Sequence, residues 1–327
     1  MNKKQRIGLF GSTGMDGSNL IDYLLTLDCD IYCMVRRHSV AENQQYRLEN
    51  VKHLITCEYG DVTDRISVNR FISNCKPDYI INLAAMSHVR ISFDMPEYTM
   101  NTNFIGNQNI LEAYKNIVPD AKYYFAGSSE MFGLNVDDDM FQRETTAFNP
   151  TSPYGISKAA SVNMVHHYRR AYGLHACVGI LFNHSGIRRG SNFVEQKVCK
   201  QAVEIKLGLR DKIELGNLDT FRDFGASTDY VKAMWKILNY DIADDFVIAT
   251  GVATSIREMC DVVFKYLDID YHDYVVQNPQ FMRSEELPYL RGDATKAKNI
   301  LGWTPTYTFE ELMHEMVDYW MNILSLK

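Results

Sequence analysis

The stretch Arg6-Ile-Gly-Leu-Phe-Gly-Ser-Thr-Gly-Met-Asp-Gly17 decides the fold, because a short apolar run passes directly into three glycines spaced three residues apart. A helical pattern follows over residues 19–25. Strand, glycine turn and helix in this order are typical of a β-α-β unit whose helix N-terminus binds a pyrophosphate. The glycines allow a tight turn, close approach of the backbone to the pyrophosphate, and packing of the helix on the strand. The sequence therefore predicts a dinucleotide site at the start of the chain.

The second strand-like run, Asp30-Ile-Tyr-Cys-Met-Val35, ends in Arg36 and Arg37, about where such a fold meets the adenosine ribose. An acidic residue there would accept hydrogen bonds from the ribose hydroxyls of NAD, whereas a guanidinium pairs with a 2′-phosphate. We therefore predict that the cofactor is NADP. Asp61, in Tyr59-Gly-Asp-Val62 after a third run, is placed to accept a hydrogen bond from the adenine.

Apolar runs at residues 79–85, 122–126 and 176–182 alternate with helical segments at about 100–116 and 153–172. This alternation predicts an α/β fold with a Rossmann-type, doubly wound parallel sheet.

The pattern changes after Asn183 into turns and amphipathic helices, with one further strand-like run at residues 245–249. Helical periodicity returns at residues 255–266, 295–301 and 309–320. We expect an NADP-binding Rossmann domain and a smaller C-terminal substrate-binding domain. The first would comprise residues 1–182 with a returning segment at about 220–252, and the second residues 183–219 and 253–327.

Composition agrees with a soluble enzyme, since 46% of the 327 residues are hydrophobic and 23% are charged. No run approaches the roughly 18 apolar residues of a membrane helix, and the amino end does not resemble a signal peptide. The net charge of −7 disfavours binding to nucleic acid or to an anionic membrane. We expect a cytoplasmic protein with neither as a partner.

The cysteines are odd in number and form no CxxC pair, so we expect reduced core residues of a cytosolic protein rather than metal ligands or nucleophiles. No metal site is predicted. The seven are Cys29, Cys33, Cys57, Cys75, Cys177, Cys199 and Cys260.

Local groups of basic residues in the second half of the chain suggest a small anionic ligand such as a nucleotide diphosphate. They are Arg188, Arg189, Lys197, Arg222, Arg283 and Arg291.

Tyr154 and Lys158 lie four residues apart, so on a helix they share one face. A nearby ammonium would lower the pKa of the phenol, and the lysine could also hold the nicotinamide ribose. Tyrosinate would then take the proton of a sugar hydroxyl while the hydride on the same carbon passes to the cofactor. The pair therefore predicts an oxidoreductase step.

Glu130 adds a second kind of chemistry, because it follows Ser128 at the carboxyl end of a predicted strand, where such sheets bind ligands. A carboxylate can remove a carbon-bound proton only when that proton is acidic, and oxidation of the neighbouring hydroxyl to a ketone makes it so. Elimination of water becomes feasible, and the reduced cofactor can return its hydride to the enone. Glu130 therefore predicts that hydride transfer is one step of a longer reaction.

The glycine loop together with Tyr154 and Lys158 resembles the extended short-chain dehydrogenase/reductase family. Longer strings are similar to the GDP-mannose 4,6-dehydratases within it, over nearly the whole chain. They include Val35-Arg-Arg37, Ser87-His-Val-Arg-Ile-Ser-Phe93, Ser128-Ser-Glu130, Ser152-Pro-Tyr-Gly155, Leu181-Phe-Asn-His184 and Arg188-Arg-Gly-Ser-Asn-Phe-Val194.

The resemblance implies a GDP-sugar substrate, tightly held NADP, oxidation at C4, loss of water across C5 and C6, and hydride return to C6. It also implies roles by residue match. The catalytic residues are Ser128, in place of the family's threonine, Glu130, Tyr154 and Lys158. The cofactor residues are Gly11, Thr13, Gly14, Met15, Asp16, Gly17, Arg36, Arg37, Asp61, Val62, Leu83, Ala84, Ala85, Ser87, Tyr154, Lys158, His184 and Arg189. The substrate residues are Ser87, Ser128, Glu130, Asn183, Val194, Lys197, Arg222, Arg283 and Glu286.

Departures from the family leave alternatives open. The stretch from about residue 268 to 283 is shorter than usual and borders the substrate, so a GDP-manno-heptose 4,6-dehydratase is an alternative to a GDP-mannose enzyme. A GDP-4-keto-6-deoxy-sugar reductase or epimerase would need Tyr154 and Lys158 but no base at position 130, and a non-catalytic dinucleotide-binding regulator would need none of the three. Arg37-His-Ser39 resembles the loop that reaches a neighbouring subunit's cofactor, which implies a homotetramer or at least a homodimer.

Overall fold

A computed structural model describes residues 4–37, 46–282 and 285–326. In these ranges the strands, in chain order, are β1 (Arg6–Phe10), β2 (Asp30–Val35), β3 (Thr56–Tyr59), β4 (Tyr79–Asn82), β5 (Lys122–Ser128), β6 (Ala176–Leu181), β7 (Asn183–Ser185), β8 (Ile213–Leu215), β9 (Phe221–Ala226), β10 (Asp245–Ile248), β11 (Ala253–Ser255), β12 (Val275–Gln277) and β13 (Tyr289–Leu290). The α-helices are α1 (Met15–Leu25), α2 (Arg65–Cys75), α3 (Val89–Asp94), α4 (Pro96–Met100), α5 (Gly106–Ile117), α6 (Pro153–Tyr172), α7 (Val194–Lys206), α8 (Ser227–Asn239), α9 (Ile256–Tyr266), α10 (Thr295–Leu301) and α11 (Phe309–Ser325).

Seven strands form one sheet in the order β10-β6-β5-β4-β1-β2-β3, and every pairing in it is parallel. The chain moves outward from β1 through β2 to β3, then returns to β4 and moves outward in the opposite direction. The order therefore reverses between β1 and β4, and a crevice opens beyond the carboxyl ends of the strands at this point. The predicted α/β fold with a doubly wound parallel sheet is confirmed.

Helices cover both faces of this sheet. On one face α2, α5 and α6 pack over a core that includes Phe71, Tyr114 and Val162. On the other face α1 and α8 pack over a core that includes Leu20 and Met234. Burial on both faces explains why the central strands are continuous apolar runs; all six residues of β6 are buried.

The predicted runs agree with the observed elements at most of their ends. Helix α6 covers the predicted residues 153–172, and α11 continues past the predicted end at residue 320 to Ser325. Two strand ends differ by more than one residue. β4 ends at Asn82, so the last three residues of the predicted run 79–85 leave the sheet, whereas β5 continues past the predicted residue 126 to Ser128. Both differences lie at the carboxyl edge of the sheet, where the chain turns toward the crevice.

A third hydrophobic core lies apart from the main sheet, among α7, α9 and α11, with Val198, Phe264 and Met316 buried in it. The short strands of this half form two small sheets. In the larger, β9 pairs with β7, β11 and β13, and in the smaller β8 pairs with β12. β7 directly follows β6 and therefore connects this half to the edge of the crevice.

All seven cysteines are free thiols, and six of them are buried. Cys57 is exposed on β3, the edge strand of the main sheet. The expectation that the cysteines are core residues is therefore wrong for Cys57, because an edge strand leaves part of its surface uncovered.

No helix in the described ranges combines the length and apolar character needed to cross a membrane. Within the same ranges, no three or more His, Cys, Asp or Glu side chains are grouped so that they could hold a metal ion.

Candidate active site

The glycine loop lies between β1 and α1 and is shaped by close backbone contacts. Gly11 has a φ of +86°. A Cβ on it would lie 2.7 Å from the backbone nitrogen of Ala84, and a Cβ on Gly17 would lie 2.3 Å from the carbonyl oxygen of Gly11. Side chains are therefore excluded at both positions. Helix α1 begins at Met15 without a side-chain cap, so its first backbone N–H groups face the crevice, where an anion could accept from them.

The crevice is a cleft of about 920 Å³ that opens along the carboxyl ends of the main strands. Most residues proposed from the sequence line it together. Those predicted to bind the cofactor are Gly11, Thr13, Gly14, Met15, Asp16, Gly17, Arg36, Asp61, Val62, Leu83, Ala84, Ala85, Ser87, His184 and Arg189. The remainder are Ser128, Glu130, Tyr154, Lys158, Asn183, Val194, Lys197, Arg222 and Glu286.

Some proposed residues lie elsewhere. Arg37 is exposed and does not line the cleft. Arg188 pairs with Asp22 at 2.7 Å, and Arg291 lies over the ring of Phe141 while donating to the Gly251 carbonyl oxygen at 2.7 Å. The expectation that the basic residues of the second half gather around one ligand is therefore wrong for Arg188 and Arg291, which hold neighbouring segments of the chain together. Arg283, His38 and Ser39 lie outside the described residues.

Tyr154 and Lys158 occupy the first turns of α6 and are both buried. The Lys158 Nζ lies 5.9 Å from the centre of the Tyr154 ring and donates to the Ala126 carbonyl oxygen at 2.7 Å. Burial lowers the pKa of Lys158 to about 7. Burial raises the pKa of Tyr154 to about 12, although a hydrogen bond with the Ser128 hydroxyl acts in the opposite direction. The predicted lowering of the phenol's pKa is therefore not met, because burial outweighs the opposite effects of Ser128 and Arg189.

Glu130 lies in the turn that follows β5 and is buried beside these groups. Its backbone N–H donates to the Ser128 Oγ at 3.3 Å, so the serine caps the turn that carries the carboxylate. The carboxylate is near enough to Tyr154 to raise the pKa of the phenol. Ser128, Glu130 and Tyr154 therefore meet in one part of the cleft, although 26 residues separate Ser128 from Tyr154 in the sequence.

Asp16 and His184 connect the two edges of the crevice. The carboxylate of Asp16 lies 2.8 Å from the His184 Nε2 and accepts from the Ser227 Oγ at 2.7 Å. Burial raises the pKa of Asp16, but the attraction of His184 and the hydrogen bonds from His184 and Ser227 outweigh it and hold the pKa below its ordinary value. The His184 Nδ1 faces the Phe182 carbonyl oxygen at 2.7 Å. The glycine-loop helix is thus joined to β7.

Sequence reasoning missed Arg47 and Glu195, among other residues of this region. Arg47 lines the cleft and donates to the carbonyl oxygens of Thr13 at 3.2 Å and Arg188 at 2.9 Å. Glu195 lies in the first turn of α7, is only 2% exposed, and has its Oε1 3.8 Å from the Nη2 of Arg189. Nothing in the local sequence marks either residue, because each takes its place only when distant segments meet.

The part of the cleft next to the small sheets is lined by the cations Arg222 and Lys197. Buried Arg222 on β9 donates to the Leu287 carbonyl oxygen at 2.8 Å and to the Glu286 carboxylate at 3.1 Å. Lys197 on α7 donates to the Glu214 carbonyl oxygen and lies 4.0 Å from the centre of the Phe281 ring. The Oδ1 of Asn183 is buried without a hydrogen-bond partner. A polar ligand in the cleft could supply a donor to that oxygen.

Several proteins similar to this chain in sequence are GDP-mannose 4,6-dehydratases. Residues 9–316 match the model of a family described as GDP-mannose 4,6 dehydratase. GDP-mannose 4,6 dehydratase 2 from Arabidopsis thaliana is 44% identical over 94% of this chain and 84% of its own. The human GDP-mannose 4,6 dehydratase is 38% identical over 97% of this chain and 92% of its own.

Solved structures share the fold at lower identity. A UDP-glucose 4-epimerase from Thermotoga maritima, with UDP-glucose, superposes with a TM-score of 0.85 at 25% identity, over 97% of this chain and 99% of the other. A dTDP-glucose 4,6-dehydratase from Streptomyces venezuelae, with NAD bound, gives a TM-score of 0.86 at 20% identity over 98% of both chains. From the family match and the identity to its relatives, the chain belongs to the GDP-mannose 4,6 dehydratase family.

Proposed function

We propose that this protein is a hydro-lyase that converts GDP-mannose to GDP-4-keto-6-deoxymannose with no net change in its cofactor. The observation that carries the proposal is the meeting of Glu130 with Ser128 and Tyr154 in the cleft that also holds the glycine loop. A reductase or epimerase of the same fold needs the tyrosine and the lysine but no carboxylate base. The buried Glu130 therefore favours dehydration.

The cleft fits a nicotinamide dinucleotide, and we propose NADP. A pyrophosphate could approach the backbone at Gly11, which has no side chain, and could accept hydrogen bonds from the uncapped start of α1. Arg36 lines the cleft just past β2, and its Nη1 donates to the Tyr98 hydroxyl, which fixes the guanidinium near the place for a 2′-phosphate. Asp61 follows β3 beside it, where the adenine would lie.

A nicotinamide bound in this cleft would supply the hydride acceptor for oxidation at C4 of the sugar and the hydride donor for C6. Tyr154 removes the proton of the C4 hydroxyl, and the Ser128 hydroxyl, hydrogen-bonded to Tyr154, orients that hydroxyl. Lys158 lies four residues further along the same face of α6. The protonation states of Lys158 and Tyr154 are therefore coupled.

Glu130 acts after the ketone has formed at C4. The ketone makes the C5 proton acidic, and the carboxylate removes it as the C6 hydroxyl leaves as water. A general base of this kind contributes roughly 10²- to 10⁴-fold to a rate. Burial in the cleft keeps bulk water away from the carboxylate and from the sugar intermediate.

The GDP portion is held, in this proposal, by the cations on the opposite side. Arg222 and Lys197 supply positive charge for the diphosphate, and Asn183 offers its buried Oδ1 as an acceptor. Arg222 already donates to Glu286, so its guanidinium is fixed in place before a ligand arrives.

We further infer a homotetramer, or at least a homodimer, from the similarity of Arg37-His-Ser39 to a subunit-spanning loop in the family. His38 and Ser39 lie outside the described residues. Light scattering on the purified protein measures the assembly directly.

The first experiment incubates the purified protein with GDP-mannose and a catalytic amount of NADP and follows the nucleotide sugar by mass spectrometry. Loss of one water without accumulation of reduced cofactor is the expected result. If GDP-mannose shows no mass change but a GDP-manno-heptose loses water, the proposed reaction stands and the substrate is the heptose. Failure with both sugars would contradict the dehydratase proposal.

The matched test of mechanism is Glu130→Gln, which keeps the shape of the side chain and removes the base. We expect the rate of dehydration to fall at least about 10²-fold while NADP still binds. Glu97→Gln, on the exposed surface of α4, is the control and should dehydrate at the normal rate. Normal dehydration by Glu130→Gln would remove Glu130 from the mechanism.

A further inference from the structure

Cys33 and Cys57 lie side by side on neighbouring strands, β2 and β3, as direct register partners of the parallel ladder. Side chains of register partners point to the same face of a sheet. The two thiols are close enough for each to affect the pKa of the other. Cys33 is completely buried, whereas Cys57 is exposed. Solvent therefore has access to the Cys57 thiol but not to the Cys33 thiol, which lies next to it.

The spacing of the two strands suits a disulfide. Neighbouring strands lie about 4.8 Å apart, which is inside the range of about 4.4–6.8 Å between the Cα atoms of bonded cysteines. β3 is the outermost strand of the sheet and has only four residues, so its neighbour β2 restrains it on one side alone. It can move the small distance that brings the two Cβ atoms into bonding range. A bond that requires such a movement is strained, and strained disulfides are the more easily reduced ones.

We propose that Cys33 and Cys57 form a reversible disulfide, and that this modification weakens binding of the dinucleotide at the adjoining end of the sheet. The second half of the proposal rests on the cofactor site proposed above; the first half does not.

The oxidant is a small-molecule disulfide of the glutathione type. The thiolate of Cys57 attacks one of its sulfur atoms, which forms a mixed disulfide and releases one small thiol. Cys33 then gives up its proton and attacks the Cys57 Sγ, which forms the protein disulfide and releases the second thiol. The protein loses two hydrogen atoms, and the reagent is reduced to two thiols. A reducing thiol reverses both exchanges.

The local charges favour this order of events. Interaction with the Cys33 thiol lowers the pKa of the Cys57 thiol, and Lys52 nearby lowers it further. Interaction with Cys57, followed by burial, raises the pKa of Cys33. Cys57 is thus the more readily ionised thiol as well as the accessible one, and Cys33 reacts second, from within the sheet.

On each of the two strands, the cysteine lies three residues before the proposed cofactor site. Arg36 follows Cys33 by three residues, and Gly60 follows Cys57 by three, directly before Asp61. The Gly60 N–H donates to the Val35 carbonyl oxygen at 3.0 Å, so the two strand ends are joined. A change of spacing at the cysteines is therefore transmitted to Arg36 and Asp61, which both line the cleft.

The test treats the full-length protein with glutathione disulfide and maps its peptides by mass spectrometry before and after dithiothreitol. We expect a Cys33–Cys57 linked peptide that dithiothreitol removes. Cys33→Ser should stop at a glutathione adduct on Cys57, and Cys57→Ser should give neither product. Cys29→Ser, which alters a buried cysteine directly before β2, is the control and should oxidise like the unmodified protein. Absence of the linked peptide in the unmodified protein would overturn the proposal.

NADP titration of the same samples tests the consequence. The oxidised protein should show a Kd several-fold higher than the reduced protein, and dithiothreitol should restore the lower value. Cys57→Ser should keep the lower Kd under both conditions. An equal Kd for the oxidised and reduced protein would refute the effect on cofactor binding, whereas failure of the reduced protein to bind NADP would count against the proposed cofactor and leave the peptide map to decide the disulfide.

Discussion

The backbone of Gly155 lies so close to Glu130 that a Cβ on the glycine would fall 2.6 Å from the glutamate's carbonyl oxygen. Gly155 directly follows Tyr154 at the start of α6. The Ser152 Oγ accepts from the Gly155 N–H at 3.0 Å and fixes this turn. The phenol and the carboxylate are therefore placed relative to each other by one backbone contact, which requires a residue without a side chain.

Gly155→Ala should separate the two groups. The added methyl group must push the turn of Glu130 away from α6, and a displacement of about 1 Å costs roughly 10- to 100-fold in rate. We expect a lower kcat for dehydration with a nearly unchanged Kd for NADP. Gly186→Ala, at a position where a Cβ meets nothing within 4 Å, should retain the kcat of the unmodified protein. A normal kcat for Gly155→Ala would show that this contact does not set the geometry.

The pH dependence of kcat/KM should reflect Tyr154 and Lys158 as a pair, since kcat/KM reports the free enzyme. The pair loses its first proton near pH 7, from Lys158, and its second near pH 12, from Tyr154. The reactive form, ammonium with tyrosinate, is a tautomer of the singly deprotonated pair. We therefore expect kcat/KM to rise with pH up to about 7 and then to level off.

Lys158→Arg should change this profile, because a guanidinium keeps its proton throughout the range. The first proton must then come from Tyr154 itself, so the rise should continue to higher pH without a plateau near 7. Circular dichroism and NADP titration check that the variant is folded and binds its cofactor. A plateau near pH 7 in Lys158→Arg would assign the titration to another group.

Arg36 should determine the choice between NADP and NAD. Hydrogen bonds to charged groups contribute about 1.5–3 kcal/mol, so Arg36→Ala should raise the Kd for NADP roughly 10- to 100-fold. The Kd for NAD should change little, because NAD has no 2′-phosphate. Arg170→Ala, at an exposed position of α6 that does not line the cleft, is the control. An equal loss of NADP affinity in both variants would contradict this assignment, as would equal losses for both nucleotides in Arg36→Ala.

Glu195 should act on Tyr154 through Arg189. The positive charge of Arg189 lowers the pKa of Tyr154, and the buried carboxylate 3.8 Å from that guanidinium offsets part of the charge. Glu195→Gln removes the offset and lowers the pKa of Tyr154, so a larger share of the singly deprotonated pair carries its proton on Lys158. The plateau of kcat/KM above pH 7 should therefore rise, by roughly threefold for a pKa change of about half a unit. Glu195→Asp keeps the charge and should leave the profile in place. A lower plateau in Glu195→Gln would reverse the assigned sign.

Much of the fold could be predicted from the sequence because its signals are local. The passage from an apolar run into Gly11, Gly14 and Gly17 marks strand, turn and helix within 12 residues, and the spacing of Tyr154 and Lys158 places both on one helix face. Alternating apolar runs and helical periodicity then predict a parallel sheet covered on both faces. The strand ends were less predictable, since β5 reaches Ser128 and β4 stops at Asn82 through contacts at the sheet edge.

By itself, the sequence determined the class of fold and the kinds of chemical group available, because periodicity, glycine spacing and residue type act within a few residues. Only the tertiary structure decided which groups meet: Glu130 with Tyr154, Arg47 with the glycine loop, Glu195 with Arg189, and Cys33 with Cys57. It also decided that Arg36 and Arg222 line the cleft, whereas Arg37 and Arg291 do not. The physical reason is that packing and electrostatic interactions act between groups a few ångströms apart in space, and distance along the chain does not measure that separation.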